Sequence, residues 1–435
     1  MVKIVYPREG IILSLCYTQF MDSRTQKKVL ILALFAGEIM MKSGAEVYRV
    51  EDTVIRICKA CKIDYVECLV TTTSISLSLD TSGAENDMHT FTKRIKSSNI
   101  NLDRISSVNT FSRIFTTTDL SIDDGFEQLK DIAASKSFSI WLRLLGAILV
   151  GAFFCPLFQG TSADMLIAGG ISAISYLIST AIQKLSFPNF IRIFISCAGA
   201  AGLVLFAALL GAGESITPVI IASTTIFLPG VAITNAARDF LSGDMLSGVA
   251  RFTEALIDAV AIAGGIAIGI RIWLLIGGTI SSERVGSFED PWFLVFGFFS
   301  TLGFCILFNS PRKHIFVASL IGAVGMYLLV LFTDDFGMLN ASFIGACVVA
   351  VLSEIASRAG KDATTIFIIP GIISFVPGSL LYQTMNTLLK EDYVGAAAQG
   401  TQAILIAGSI AIALVLVATI TRLIKILFDK LHKNP

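Results

Sequence analysis

Glu254 and Asp258 stand four residues apart in RFTEALIDAV, Arg251 to Val260, inside an apolar run. If that run is helical, the two carboxylates share one face. Ionisable groups deep in such a run usually face a cavity rather than lipid. Two like charges that close raise the apparent pKa of the pair, so together they could carry an exchangeable proton. Arg251, three residues before Glu254, offers a second reading in which it neutralises Glu254 as a structural pair. Just upstream, Arg238, Asp239 and Asp244 in RDFLSGD read as a solvated loop at the cytoplasmic edge of a membrane.

A second group of polar residues flanks an oddity. FLPG, Phe227 to Gly230, breaks a long apolar segment, and FVPG, Phe375 to Gly378, breaks a later one. Proline removes a backbone donor and glycine permits close approach, which frees main-chain groups that lipid could not satisfy but a water-filled cavity could. Thr224 and Thr225 precede the first break, Asn235 follows it, and Gln383 follows the second. Such hydroxyls and amides can hold an ammonium or carboxylate, or simply bond back to their own helix.

Other chemistries find no support. There is no phosphate-cradling P-loop, no HExxH zinc motif and no GxSxG elbow. His89, His314 and His432 are too scattered for a metal site, so neither a metal nor another cofactor is expected, and no catalytic set is identified. Of eight cysteines, only Cys58, Cys61 and Cys68 cluster. A single CKAC pair on an apparent helix reads as reduced packing thiols in a reducing compartment rather than a metal or redox site. A net charge of zero gives no reason to invoke nucleic acid.

The elements that must position these residues are mostly apolar helices. The chain is 54% hydrophobic and 15% charged, with a mean hydropathy of +0.76, which marks an integral membrane protein. Residues 1–139 nevertheless hold 17 Lys/Arg and 17 Asp/Glu, just over half of all charges. A soluble α+β domain over 25–138 is therefore expected, after a poorly defined leader, 1–24, that lacks signal-peptide features. Periodicity predicts two helices over 27–62 meeting near Ser43 and Gly44, strands in 66–79 and 88–95, and helices over 102–116 and 122–134. Ten segments near the span length of ~20 residues follow: 140–158, 162–182, 190–211, 216–236, 249–271, 291–308, 314–332, 338–357, 364–385 and 396–420. Lys/Arg concentrate in alternate loops and in the basic tail, placing both termini in the cytoplasm.

The chain also repeats. Shifted by 148 residues it meets itself at 11 of the 44 positions from 227 to 270, among them Pro229, Gly230, Asp244 and Thr253. Five spans per copy is an odd number, so the copies, 139–285 and 286–435, run through the membrane in opposite senses. The expected fold is a polytopic α-helical membrane protein with about ten transmembrane helices as a 5+5 inverted repeat. Broken helices at matched positions of inverted repeats point to a transporter's binding site, here Pro229, Gly230, Pro377 and Gly378. The partners are then a small-molecule substrate, protons and the bilayer; a homo-oligomer is compatible.

Three stretches resemble the bacterial threonine/serine exporter family in its fused two-module form: GEIMMKSGAEVYRVEDTVIRIC, FLPGVAITNAARDFLSGDMLSGVARFTEAL and FIIPGIISFVPGSLLYQ. The resemblance implies proton-driven export of small hydroxylated amino acids across the bacterial cell membrane, not an enzyme. A split relative associated with succinate makes a dicarboxylate the alternative substrate, with Arg238 and Arg251 as its partners. A third reading is a membrane-anchored enzyme or regulator acting through residues 25–135. The family pattern matches here at Pro229, Gly230, Asn235, Arg238, Asp239, Gly243, Asp244, Arg251, Glu254, Pro377 and Gly378. Asp258 lies outside it. Glu38, Glu46, Arg49, Glu51 and Asp52 read as a solvated helix face or a docking surface for the membrane helices.

Overall fold

The computed structural model describes residues 23–63, 65–80, 89–96, 99–277, 286–375, 380, 383, 384, 387 and 391–432. Pro377 and Gly378, and with them the second break itself, lie outside the described residues.

The N-terminal segment begins with helices α1 (Ser23–Lys42) and α2 (Val47–Ala60). Gly44, at φ +83°, takes the left-handed conformation that a side chain disfavours, and so forms an elbow that leaves Ala45 and Glu46 between the two helices. Strands β1 (Tyr65–Thr71), β2 (Ser74–Asp80) and β3 (His89–Arg94) make an antiparallel sheet in that order. The alternation in SISLSLD does what a two-residue period requires. Ile75, Leu77 and Leu79 enter the core, while Ser76 and Ser78 meet the hydroxyls of Thr92 and Thr90 at 3.0 and 2.8 Å on the other face. Helices α3 (Leu102–Thr117) and α4 (Ile122–Ala134) start at Asn101 and Ser121, whose side chains accept the N-cap hydrogen bonds. The apolar cluster built on Val29, Val50, Ile75 and Phe111 runs on without interruption into Val150, Phe154, Phe304 and Met326. Packing therefore does not break near residue 138.

Among the described residues these helices follow: α5 (Ile140–Phe154), α6 (Ser162–Lys184), α7 (Asn189–Leu209), α8 (Ile216–Thr224), α9 (Gly230–Ser242), α10 (Met245–Leu275), α11 (Trp292–Leu307), α12 (Ile315–Gly360), α13 (Thr365–Gly371) and α14 (Tyr393–His432). Among the described residues, six stretches are long and apolar enough to cross a bilayer, or seven if the bent pair 216–240 is one span. The chain is a polytopic membrane protein. The count falls below the ten expected segments for identifiable reasons. Segments 314–332 and 338–357 form one helical run, α12, interrupted at Gly337, whose φ of 76° and ψ of 157° are not helical. A methyl group at Gly325 would come within 2.9 Å of Val349 Cγ2; each residue is twelve from Gly337, so the two arms fold back on each other. Helix α11 has 16 residues, short of a full span, and α13 has seven with Pro370 inside.

The break at FLPG is present. Helix α8 ends at Thr224, a 3-10 turn covers Thr225–Phe227, and α9 restarts at Gly230 with a bend of 60°. The second half shows matching element starts: a 3-10 turn at Ile373–Phe375 and α14 at Tyr393, each 148 residues after its counterpart at Thr225 and Met245.

Helices α7 and α10 pack side by side and parallel. Asn189 lies level with Asp258, at a 2.9 Å hydrogen bond, the Phe194 carbonyl with Gly265, and the Ala198 carbonyl with Gly269. Helix α10 thus begins thirteen residues before α7 does, an overhang of about 20 Å at 1.5 Å per residue.

Candidate functional site

Where the chain breaks, its two halves meet. The first turns of α9 (Gly230, Val231, Thr234, Asn235) face Ile369, Ile372 and Ile373, from α13 and the turn after it, across a narrow crevice that is too tight to admit water. Asn235 and Thr234 are buried here. Thr234, which the sequence reading passed over, lines the wall while its hydroxyl donates to the Gly230 carbonyl at 2.8 Å. Thr224 and Thr225 do not face this space. Their hydroxyls bond back to the carbonyls of Ile220 and Ile221 at 2.8 Å, so of the two roles open to them the helix-bonding one is taken. Gln383 is exposed.

One turn beyond the crevice lies a buried ionic cluster. Arg238 donates to Glu46 Oε1, Arg49 Nε to Glu46 Oε2 at 2.9 Å, and the Thr365 hydroxyl to both oxygens at 3.3 and 3.2 Å. Arg251 donates through Nη2 to the Ala45 carbonyl at 2.8 Å, and its Nε lies 3.1 Å from Asp239 Oδ2. Glu46 and Asp239 have no exposed surface. Burial works against an ionised Glu46, but Arg49 and Arg238, with Arg251 behind them, outweigh it and hold the carboxyl below its ordinary range. Neither Asp239 oxygen receives a hydrogen bond, which is costly for a buried acceptor.

This arrangement corrects the expected solvated loop: Arg238 and Asp239 sit in the interior because α9 and α10 fold into a hairpin that the Gly44 elbow covers near its turn. Asp244, half-exposed, immediately precedes α10. Arg251 does not pair with Glu254. It faces α9, and Glu254, nearly a full turn away on α10, is exposed. Asp258, bonded by Asn189 at 2.9 Å, is level with the first residue of α7, and Glu254 lies in the overhang of α10. Within the N-terminal group, Asp52 is the solvated member expected, but Glu46 is fully buried.

A second polar junction joins α3 to the second half. Asp362 accepts from the Ser106 hydroxyl at 2.5 Å and the Ala363 amide at 2.8 Å, with His314 Nε2 and Lys313 Nζ each at 3.2 Å. Burial opposes its charge, but these donors keep its carboxyl below the usual range. The amides of Leu102 and Asp103 donate to the carbonyls of Phe308 and Asn309 at 3.0 and 2.8 Å. Among the described residues no group of His, Cys, Asp and Glu is arranged to hold a metal.

The described cysteines are free. Burial pushes the thiols of Cys58 and Cys68 up to about 12 and that of Cys61 to about 11. At pH 8 the thiolate of a group near 11 is a fraction of about 10⁻³, against about a fifth for an ordinary thiol, so maleimide should label even Cys61 about 200-fold more slowly in the folded protein than in the unfolded chain. Mass spectrometry of the three peptides reads this; rapid labelling in the fold would contradict it.

A model of the threonine/serine exporter family matches residues 31–273. The chain belongs to the threonine/serine exporter family. A second model of that exporter family matches residues 293–420, so the two-module form is present in one polypeptide. The chain is 24% identical over 385 residues to a "Probable threonine/serine exporter" of Mycobacterium tuberculosis, covering 85% of this chain and 72% of that protein. It is 22% identical over 377 residues to the "Threonine/serine exporter" of Corynebacterium glutamicum, covering 84% and 76%. A shorter relative, "Probable succinate transporter subunit YjjP" of Escherichia coli, is 25% identical over 260 residues, 59% of this chain and 99% of that subunit. No solved structure matches the chain. All three relatives are named as exporters or transporters rather than enzymes.

Proposed function

We propose that this protein is a secondary active exporter of threonine, serine and similar small polar amino acids across a bacterial cell membrane, driven by protons and working by alternating access. The observation that carries this reading is the crevice: a helix broken at Pro229 and Gly230 in one module faces Ile369 to Ile373, just before the matching break, in the other. The equal spacing of the 3-10 turns and of the helices that follow supports a 5+5 repeat, and the loop charges support inverted copies with both termini in the cytoplasm. Residues 25–138 are then a cytosolic cap on modules 139–285 and 286–435.

Threonine, serine and succinate, the molecules named for the relatives, share a carboxylate. Buried Arg238 and Arg251 suit that group in either substrate, which keeps a dicarboxylate as the second reading. Asp239 favours the amino acid: Arg251 pairs with its Oδ2, but its buried Oδ1 has no donor and can accept an ammonium, while its charge repels a second carboxylate. Proton coupling is assigned to Asp258, flanked by Glu254, Arg192 and Asn189, rather than to the exposed Glu254.

Inside-out vesicles with an imposed proton gradient should accumulate labelled threonine, with succinate failing to compete. Asp258→Asn should remove the dependence on the gradient, whereas Glu254→Gln should retain it. Competition by succinate but not by serine would select the dicarboxylate, and gradient-independent uptake in the unaltered protein would sink the coupling.

A further inference from the structure

We propose that Arg238 and Arg251 form the binding site for the carboxylate of the transported molecule, and that Glu46 occupies this site from within. Glu46 thereby shuts the crevice until a substrate carboxylate takes its place. The proposal rests on the transporter reading above and names the subsite where the pathway is held closed.

Both walls of the crevice converge on Glu46. On α9, Asn235 lines the space and Arg238 follows roughly a turn later; on α13, Ile369 lines it and Thr365 precedes it by one turn. Arg238 and Thr365 each bind the Glu46 carboxylate, so that one group spans the mouth between the two modules. Arg251 reaches the same place from α10 through the Ala45 carbonyl at 2.8 Å.

The carboxylate does not come from the helices that make the crevice. It is delivered by the elbow at Gly44, between α1 and α2, and can withdraw without dismantling either wall. Arg49, on α2 and bonded to Glu46 at 2.9 Å, would leave with it. What stays behind is Arg238 and Arg251, buried beside Asp239. Without Glu46, Arg238 loses its bonded anion in a water-poor site, while Arg251 keeps Asp239; Arg238 then needs an anionic partner, and a carboxylate matches the donors of Arg238 and Thr365 that Glu46 now satisfies. An amino acid and a dicarboxylate both carry that group, so the same exchange would serve either.

The test measures binding of L-threonine, succinate and threoninamide, which lacks the carboxylate, to the purified full chain. If Glu46 competes for the site, Glu46→Gln should bind L-threonine or succinate about tenfold more tightly than the unaltered protein, because the competent state is no longer masked. Threoninamide should gain nothing, and adding Arg238→Gln should remove the gain. A gain for succinate alone supports the carboxylate site and overturns the amino-acid reading instead. No gain for either carboxylate, or an equal gain for threoninamide, overturns the proposal. Should Glu46→Gln not fold, hydrogen exchange on the unaltered protein decides. Amides of residues 43–50 should exchange faster with saturating L-threonine or succinate than with threoninamide, and equal exchange under all three overturns the proposal.

Discussion

Arg238→Gln is expected to destabilise the protein by about 3 kcal/mol, because it strands the fully buried Glu46 with an uncompensated charge. The figure is at the lower end for a broken buried pair, since Arg49 remains bonded to Glu46 at 2.9 Å. Glu46→Gln alone should also destabilise, leaving Arg238 and Arg251 with Asp239 only. The double variant Glu46→Gln, Arg238→Gln removes both charges and should recover much of the loss. A double-mutant cycle on thermal or denaturant unfolding in detergent reads the coupling directly. Independent, additive effects would mean that the two side chains do not hold each other in solution. The pH dependence has a definite sign. Glu46 is held below its ordinary range, so its contribution is fully present above the unfolded carboxylate value and is lost as pH falls through the folded one. The coupling should therefore be flat around neutrality and fade only in acid, which also makes Glu46 a poor carrier of protons.

Gly265→Ala is expected to cost about 1–3 kcal/mol by overpacking, more than the size of a methyl group suggests. The added Cβ would sit 2.3 Å from the Phe194 carbonyl oxygen and 3.1 Å from Cys197 Cβ. That oxygen is main chain on α7 and cannot swing aside, so the helices must part along a contact that small residues exist to allow. Gly269 repeats the approach one turn later, 2.6 Å from the Ala198 carbonyl. The neighbouring Gly264→Ala is the internal control, because its Cβ meets the edge of the Phe194 ring at 3.2 Å, a side chain that can give. Melting temperatures of the purified variants should separate the two; equal shifts would show that the carbonyl contact is not decisive.

Local structure was readable where it depends on near neighbours. SISLSLD alternates, and its strand buries the residues that the alternation selects. Pro229 cannot donate, and the helix ends before it. The turn at Gly44 fell where the helical pattern was interrupted. What could not be read was which distant segments meet. Glu46 is 192 residues from Arg238 and 319 from Thr365, and no periodicity links positions that far apart. Of the two readings open for Arg251 and Glu254, proximity in sequence suggests the pair, whereas the α9–α10 hairpin turns Arg251 toward Asp239. The surroundings of Glu254 and Asp258 are hidden for a different reason. An apolar run of 31 residues is longer than a bilayer needs, and only the register against α7 shows which end overhangs. The fold-back of α12 at Gly337 and the short α11 likewise blurred a count of spans made on length alone.

The two ends of the molecule are tied by more than the peptide chain between α10 and α11. Leu102, Asp103, Ser106 and Glu46, all before residue 135, bond to Phe308, Asn309, Asp362 and Thr365, all after residue 292. Severed between residues 275 and 292, the protein would yield two polypeptides that already carry a matched seam of hydrogen bonds. Fusion and fission are therefore near-equivalent ways of making this architecture. A first piece cut in this way would find its second piece through its N-terminal segment.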